Sequence, residues 1–130
     1  KSSISRRRII TRRFNKMVYI TLYHYTSEKN AEKIEQQEVI KASDPDGPDA
    51  QYGKGVYLTS YGPEMGKTFL NDNNWGGRRK IKKKLEAYVR IEMDKDDPHL
   101  IVVSERDRNI FLYKNDLNLA QYRYEIKLFT

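Results

Sequence analysis

Two segments of the chain contain residue types that are suited to binding a ligand. Residues 22–27 end an apolar run with His24, whose imidazole offers a directional hydrogen-bond donor. Residues 53–60 place Tyr57 shortly after Gly53 and Gly55, and glycines let the backbone lie close to a ligand. The face of Tyr57 suits a flat cationic ring. The alternatives are a His24 that bonds to a neighbouring loop and an ordinary strand tyrosine, one of ten in the chain.

The composition limits the other chemistry that the chain can perform. It contains no cysteine, which excludes disulfides, thiolate zinc sites and a cysteine nucleophile and gives no sign of a disulfide-stabilised secreted protein. The two histidines, His24 and His99, are far apart in the sequence, so we expect no histidine-based metal site. No apolar run approaches the roughly 18 residues of a membrane span, so we expect no membrane-spanning segment.

The net charge of +7 belongs to the start of the chain rather than to its body. Residues 1–16 contain seven basic and no acidic residues, whereas residues 17–130 contain 18 of each. We therefore expect a basic tail or linker at 1–16 and one domain at 17–130. A solvated linker is the favoured interpretation; a nucleic-acid or anionic-membrane contact and a targeting sequence are the alternatives. The chain begins at Lys1, which is consistent with a fragment, and Met17 is a candidate natural start.

Most of the body is typical of short strands joined by turns. Apolar and polar residues alternate over 85–93, which is the clearest strand signal. Ser27 can cap a helix that runs to about Glu38, and Glu28 suits its first turn. The other predicted strands are residues 18–23, 39–40, 56–59, 100–103, 110–113 and 121–129. This pattern predicts an α+β domain with one main helix.

A polar stretch between the predicted strands becomes strongly basic towards its end. Residues 71–84 contain glycines and then six basic residues between Arg78 and Lys84. A solvated loop is the favoured interpretation of this stretch. The alternative is a surface that holds a pyrophosphate or a nucleic-acid substrate.

The order of the two motifs, a strand-end His and then Gly-x-Gly-x-Tyr, resembles the diphtheria-toxin and PARP class of ADP-ribosyltransferases. The opening Leu-Tyr-His-Tyr-Thr-Ser is most similar to the toxin subfamily with a His-Tyr-Asp signature. The resemblance covers the predicted domain and implies two packed, mostly antiparallel sheets with NAD in the cleft between them. It implies that His24 donates to the adenosine-side ribose and that the backbone of Tyr25 binds the nicotinamide amide. Tyr57 would stack on the nicotinamide ring, with Gly55 before it and Ser60 as the small hydroxyl residue after it.

The resemblance also implies a carboxylate near the ribose. That charge stabilises the oxocarbenium-like state that forms when nicotinamide leaves. The position of the family's Glu falls on Asn109, at the start of a late strand. We expect the acid to be Asp107, which would share a face with Asn109, or Asp116 in the turn after that strand. Glu105 and Glu125 are further candidates.

The implied activity is transfer of ADP-ribose from NAD, the substrate, to a macromolecular acceptor, protein or nucleic acid. Nicotinamide would be released, no metal is implied, and the protein would act as a toxin or effector. Two alternatives stay open. The first is NAD hydrolysis with water as the acceptor; the second is a non-catalytic module that binds NAD or ADP-ribose, or a basic-tailed nucleic-acid binder. Asn109 at the acid position favours the second alternative.

Overall fold

A computed structural model describes residues 18–43, 53–75, 82–103 and 108–130, which form an α+β domain. The strands are β1 (Tyr19–Thr26), β2 (Val39–Ile40), β3 (Val56–Leu58), β4 (Ala87–Asp94), β5 (Leu100–Val102), β6 (Phe111–Tyr113), β7 (Leu117–Asn118) and β8 (Arg123–Leu128). The α-helices are α1 (Glu28–Gln37) and α2 (Lys67–Trp75), and the 3-10 helices are Pro63–Met65, Lys82–Leu85 and Leu119–Gln121. The predicted α+β class with antiparallel sheets is confirmed.

Some predictions fall on parts of the chain that the structure does not describe. These are the tail at 1–16, the basic residues 78–80, and the acid candidates Glu105 and Asp107. The domain boundary at residue 17 therefore stays a prediction.

The first sheet has the order β1-β4-β8, with β4 in the centre. Its central strand alternates as the sequence predicts: Ala87, Val89, Ile91 and Met93 are all fully buried, and the residues between them are partly exposed. A strand covered on one face needs this period of two, because successive side chains point to opposite sides of the sheet. The buried face packs against the rest of the main core, including Leu22 of β1.

The second sheet has the order β3-β6-β5, and a two-stranded ribbon of β2 and β7 completes the set. A backbone bridge joins these first two sheets, where Tyr23 and Thr59 exchange two hydrogen bonds at 2.7 and 3.0 Å. Ser43 and Gly55 make a similar bridge between the exit of β2 and the entry of β3. The ends of β1, β2 and β3 are thereby brought together.

The first helix forms where the sequence predicts it. The Oγ of Ser27 accepts a hydrogen bond from the backbone N–H of Asn30 at 3.1 Å, which satisfies one of the open donors of the first turn. The helix buries only Ala31 and Ile34, a narrow stripe that fits its polar composition. It ends at Gln37, and the residue that follows, Glu38, has a left-handed φ of 55°.

Two features differ from the local prediction. Strand β1 continues past His24 to Thr26, because it stays paired with β4 as far as Ala87. The second difference is α2, which occupies the start of the stretch predicted as a loop. Asparagine is a poor helix former because its side chain competes for backbone groups. Here the side chain of Asn73 bonds instead to Asn109, which is distant in the sequence. Leu70 packs the helix against an aromatic cluster that includes Tyr25 and Tyr88.

Candidate active site

A pocket of about 450 Å³ opens between β1, α1, β2 and β3. Its lining includes His24, Tyr25, Tyr57, Trp75 and Lys84. Concave sites of roughly 300–1,000 Å³ are the usual size for small-molecule ligands. Three of the residues expected to bind the ligand therefore surround one cavity.

His24 and Tyr57 are joined by a hydrogen bond on the wall of this pocket. The Nδ1 of His24 lies 3.0 Å from the backbone carbonyl oxygen of Tyr57. A carbonyl can only accept, so Nδ1 carries the proton and donates it. The His24 side chain thus bonds to strand β3 rather than to a neighbouring loop, and it also lines the pocket; that it binds a ligand stays a prediction.

The charge state of His24 decides what its other nitrogen can do. Burial lowers the pKa of His24, the bond to the Tyr57 carbonyl opposes that shift, and the positive charge of Lys84 lowers the pKa further. On balance the pKa of His24 is lowered, which favours the neutral ring. In a neutral ring with its proton on Nδ1, Nε2 is an acceptor. This polarity differs from the donor role that the resemblance implies, because the ring's proton is committed to Tyr57.

Tyr57 is placed by the alternation of β3. Its neighbours Val56 and Leu58 are buried, so its own side chain lies on the opposite face and lines the pocket. The Tyr57 hydroxyl donates to the carbonyl oxygen of Gly53 at 2.8 Å. That glycine has φ +100°, a conformation that favours glycine. The turn before β3 therefore holds the far end of the Tyr57 ring.

Gly55 and Ser60 are not among the residues that line the pocket. A Cβ on Gly55 would meet the side chain of Leu112 and lie 2.6 Å from the carbonyl oxygen of Tyr113. The close approach of β6 is therefore a structural reason for this glycine. Ser60 is exposed, and its backbone N–H donates to Oδ1 of Asn109 at 2.8 Å.

The side chain of Tyr25 is buried in an aromatic cluster, an arrangement compatible with recognition of a ligand by its backbone. Its ring is 5% exposed and packs in an aromatic cluster, and its hydroxyl donates to the carbonyl oxygen of Tyr61 at 2.8 Å. Burial is the main cause that raises the pKa of this hydroxyl. Backbone groups two residues apart in a strand face the same edge. Because Tyr23 exchanges antiparallel hydrogen bonds with Thr59, the N–H and C=O of Tyr25 point towards that same edge, on the side of β3.

Neither Asp116 nor Asn109 lines the pocket. The Oδ1 of Asp116 accepts from the backbone N–H of Ala42 at 2.8 Å, and its Oδ2 lies 3.8 Å from Nζ of Lys41. Asp116 thus lies beside the exit of β2. Of the further candidates, Glu125 is exposed on β8, with its Oε2 3.8 Å from Nζ of Lys127. The described residues therefore place no acid candidate in the pocket lining.

Asn109 instead holds the turn after β3. Its Oδ1 accepts from the hydroxyl of Thr59 at 3.0 Å as well as from Ser60. Its own backbone is held by Asn73, which accepts from the Asn109 N–H at 2.6 Å and donates to the Asn109 carbonyl at 2.9 Å. The position where the family's acid was expected is therefore engaged in holding two segments together.

Sequence reasoning missed Asn73. This side chain is only 5% exposed, although it lies in a run of polar residues on α2. The run Asn-Asp-Asn-Asn would ordinarily indicate a solvated loop. The signal that was available is weak: a buried asparagine is uncommon, but nothing local distinguishes it from its neighbours.

The described lining of the pocket is cationic. It includes Lys33, Lys41 and Lys84 and no carboxylate. Such a lining favours an anionic ligand, since charge complementarity concentrates the opposite sign in a concave site. Within the described residues, no cluster of three or more His, Cys, Asp or Glu side chains is arranged to hold a metal ion. In the same part of the chain, no helix is both long and apolar enough to cross a membrane.

Comparison with known proteins gives a family match. Residues 22–122 match the model of a family described as HYD1 signature containing ADP-ribosyltransferase, a range that includes His24, Tyr57 and Asn109. No curated protein and no solved structure gives a significant match. The resemblance to ADP-ribosyltransferases is confirmed, and enzymes of this class use NAD as a substrate. Because the family model covers most of the chain, the protein belongs to this toxin-type family of ADP-ribosyltransferases.

Proposed function

We propose that this domain transfers ADP-ribose from NAD to a macromolecular acceptor and releases nicotinamide. The observation that carries the proposal is the pairing of His24 with Tyr57, at 3.0 Å, on the wall of a pocket large enough for a small-molecule ligand. Family membership supports the same reaction class. A role as a toxin or effector is part of the proposal.

The pocket suggests how NAD lies. The face of Tyr57 stacks on the cationic nicotinamide ring, and the backbone N–H and C=O of Tyr25 bind its amide. The Nε2 of His24 accepts a hydrogen bond from a hydroxyl of the adenosine-side ribose. The cationic lining, which includes the Lys84 whose charge lowers the pKa of His24, suits the pyrophosphate.

The chemical step breaks the bond between ribose C1′ and the nicotinamide nitrogen. The bonding electrons leave with nicotinamide, which becomes neutral, and the ribose passes through an oxocarbenium-like state. A carboxylate beside the ribose stabilises that charge. A nucleophile of the acceptor then bonds to C1′ and loses its proton to solvent, which completes the transfer.

We propose Asp107 as this carboxylate, with Asp116 as the alternative. Asp107 directly precedes Arg108, whose guanidinium donates to the carbonyl oxygens of Asn73 and Asn74 at 2.8 and 3.1 Å. Since Asn74 lines the pocket, the neighbour of Asp107 is tied to the pocket wall. Asp116 has its two oxygens turned to Ala42 and Lys41.

A non-catalytic module that binds NAD or ADP-ribose is the second candidate function. It is favoured by Asn109 at the expected acid position, with its amide oxygen engaged by Thr59 and Ser60. NAD hydrolysis is a variant of the first proposal, with water as the acceptor. It needs the same carboxylate and the same pair of NAD-binding residues, His24 and Tyr57, which we call the clamp.

Nicotinamide release by the purified chain separates these functions. The protein is incubated with NAD labelled in the nicotinamide and in the adenine, alone, with a cell-protein mixture and with nucleic acid. Transfer predicts nicotinamide release together with adenine label on one acceptor. Hydrolysis predicts equal release of nicotinamide and free ADP-ribose without an acceptor. Binding of NAD by calorimetry without nicotinamide release in any mixture would contradict the transferase proposal and support the binding module.

A further inference from the structure

A buried side chain connects the end of β3 with the segment before β6. Asn73, on α2, contacts both Thr59, which directly follows β3, and Asn109, in the segment that precedes β6. Its Oδ1 accepts from the Asn109 N–H at 2.6 Å, and its Nδ2 donates to the Asn109 carbonyl at 2.9 Å. This two-point contact imitates the pairing of a neighbouring strand, so it fixes both the position and the direction of the Asn109 backbone.

The same amide reaches the clamp side. Its Nδ2 lies 3.1 Å from Oγ1 of Thr59, and the Thr59 hydroxyl donates to Oδ1 of Asn109 at 3.0 Å. Thr59 follows β3, which carries Tyr57, and its backbone is paired with Tyr23, the neighbour of His24. Asn73, Thr59 and Asn109 thus form a closed network of hydrogen bonds.

The end of α2 is attached to the other side of this segment. The guanidinium of Arg108 donates to the carbonyl oxygens of Asn73 and Asn74, the last residues of α2 before Trp75. A cation is favoured at this end of a helix, where backbone carbonyls lack intrahelical partners. Residues 108 and 109 are therefore held to α2 by their side chain and their backbone, respectively.

We propose that Asn73 is a positioning residue for ADP-ribosyl transfer. It holds residues 108–109, which directly follow the proposed acid Asp107, at a fixed distance from β3, the strand that carries Tyr57. We call residues 108–109 the acid side of the site. The inference rests on the proposed function. Asn73 does not touch the substrate in this role; it acts through Asn109 and Thr59.

A purely structural asparagine would affect stability without a specific effect on the reaction. Loss of positioning predicts a different pattern, because the clamp can still bind NAD while the acid side is displaced. A misplacement of about 1 Å at a reacting centre lowers the rate on the order of 10²-fold. The turnover number should therefore fall much more than the affinity for NAD.

The test compares Asn73→Asp and Asn73→Ala with Leu70→Val. In Asn73→Asp one carboxylate oxygen can still accept from the Asn109 N–H, but the other faces the Asn109 carbonyl and has no proton to donate. Leu70→Val removes packing from the same helix, since Leu70 is fully buried, and leaves the network intact. For each protein we measure the thermal midpoint, the turnover number, the NAD dissociation constant and hydrogen exchange at the amides of Asn109 and Ser60.

Both Asn73 variants should lose turnover on the order of 10²-fold with an NAD dissociation constant close to the parent's. Exchange at the Asn109 and Ser60 amides should accelerate while the amides of β4 keep their protection. Leu70→Val should keep near-parent turnover at a comparably lowered midpoint. The inference is overturned if turnover is unchanged in the Asn73 variants, or if Leu70→Val loses as much. A parent that releases no nicotinamide would instead overturn the proposed function, and the positioning role with it.

Discussion

His24 donates its Nδ1 proton to the backbone carbonyl of Tyr57 across 3.0 Å, so one hydrogen bond ties the two clamp residues together. The bond fixes the orientation of the imidazole and leaves Nε2 as its remaining polar atom. It also joins the two motifs, which lie on different strands, β1 and β3.

The clamp should contribute directly to NAD binding. We expect His24→Ala and Tyr57→Ala each to weaken binding by about 1–2 kcal/mol, since each removes a contact with the ligand. Tyr57→Phe keeps the ring and removes the hydroxyl that bonds to Gly53, so its loss of NAD affinity should be smaller. Isothermal titration calorimetry measures the affinities. His99→Ala, which lies outside the pocket lining, is the control. Folded clamp variants with parent affinity would show that the clamp has been misassigned.

Stability should decrease in mild acid because of His24. Its pKa is lowered in the folded state from the ordinary value of 6.5, chiefly by burial and further by Lys84, so below that pH the unfolded chain binds more protons. The contribution of the neutral ring is fully present above pH 6.5 and is lost as the pH falls through the folded pKa. Urea unfolding between pH 8 and pH 5 measures the free energy; these two limits are about a unit and a half on either side of the ordinary value.

The matched variant for this measurement is His24→Asn, which can still donate to the Tyr57 carbonyl but does not titrate in this range. Its free energy of unfolding should lack the part of the acid slope that His24 causes, whereas His99→Asn should keep it. An identical slope in the parent and in His24→Asn would contradict the assignment.

The catalytic acid should affect turnover more than binding. We expect Asp107→Asn to lower the rate of nicotinamide release on the order of 10²–10³-fold with little change in NAD affinity, because the carboxylate acts on charge that develops in the transition state. Asp116→Asn should have a small effect, since an amide oxygen can still accept from Ala42. The reverse result would assign the acid to Asp116. If neither substitution lowers the rate of nicotinamide release, Glu105→Gln and Glu125→Gln are tested next. Four substitutions without an effect on this rate, in an active protein, would refute the mechanism.

Gly55 should be intolerant of a side chain for a structural reason. The added Cβ of Gly55→Ala would lie 2.6 Å from the Tyr113 carbonyl oxygen, which belongs to the paired strand and cannot turn aside. Overpacking of this kind costs about 1–3 kcal/mol of folding free energy. Chemical denaturation gives the value, with Ser60→Ala at an exposed neighbouring site as the near-neutral control. An unchanged free energy of unfolding for Gly55→Ala would mean that β3 and β6 are packed less closely.

The basic tail should be dispensable. Removal of residues 1–16 takes away the whole excess of +7 and, in our prediction, no part of the core. The thermal midpoint and the rate of nicotinamide release with NAD alone should equal those of the full chain. A large decrease in the midpoint would place part of the tail in the domain and refute a boundary at residue 17.

The sequence by itself determined the features that depend on local pattern. The alternation over β4 predicts a strand with one buried face, and Ser27 predicts the start of α1; both are confirmed. The paired motifs at His24 and Tyr57 predicted the family, which the family model confirms. These signals are local because side-chain direction in a strand and capping in a helix are set by neighbouring residues.

Only the tertiary structure decided the features that depend on residues far apart in the chain. Asn73 is buried because it pairs with Asn109 and Thr59, and nothing in its own segment encodes those partners. The reason for Gly55 is likewise the approach of β6, which no local turn rule reveals. The tautomer of His24 follows from a carbonyl on another strand. Hydrogen bonds and close packing between distant segments are fixed by the fold as a whole, so the local sequence cannot specify them.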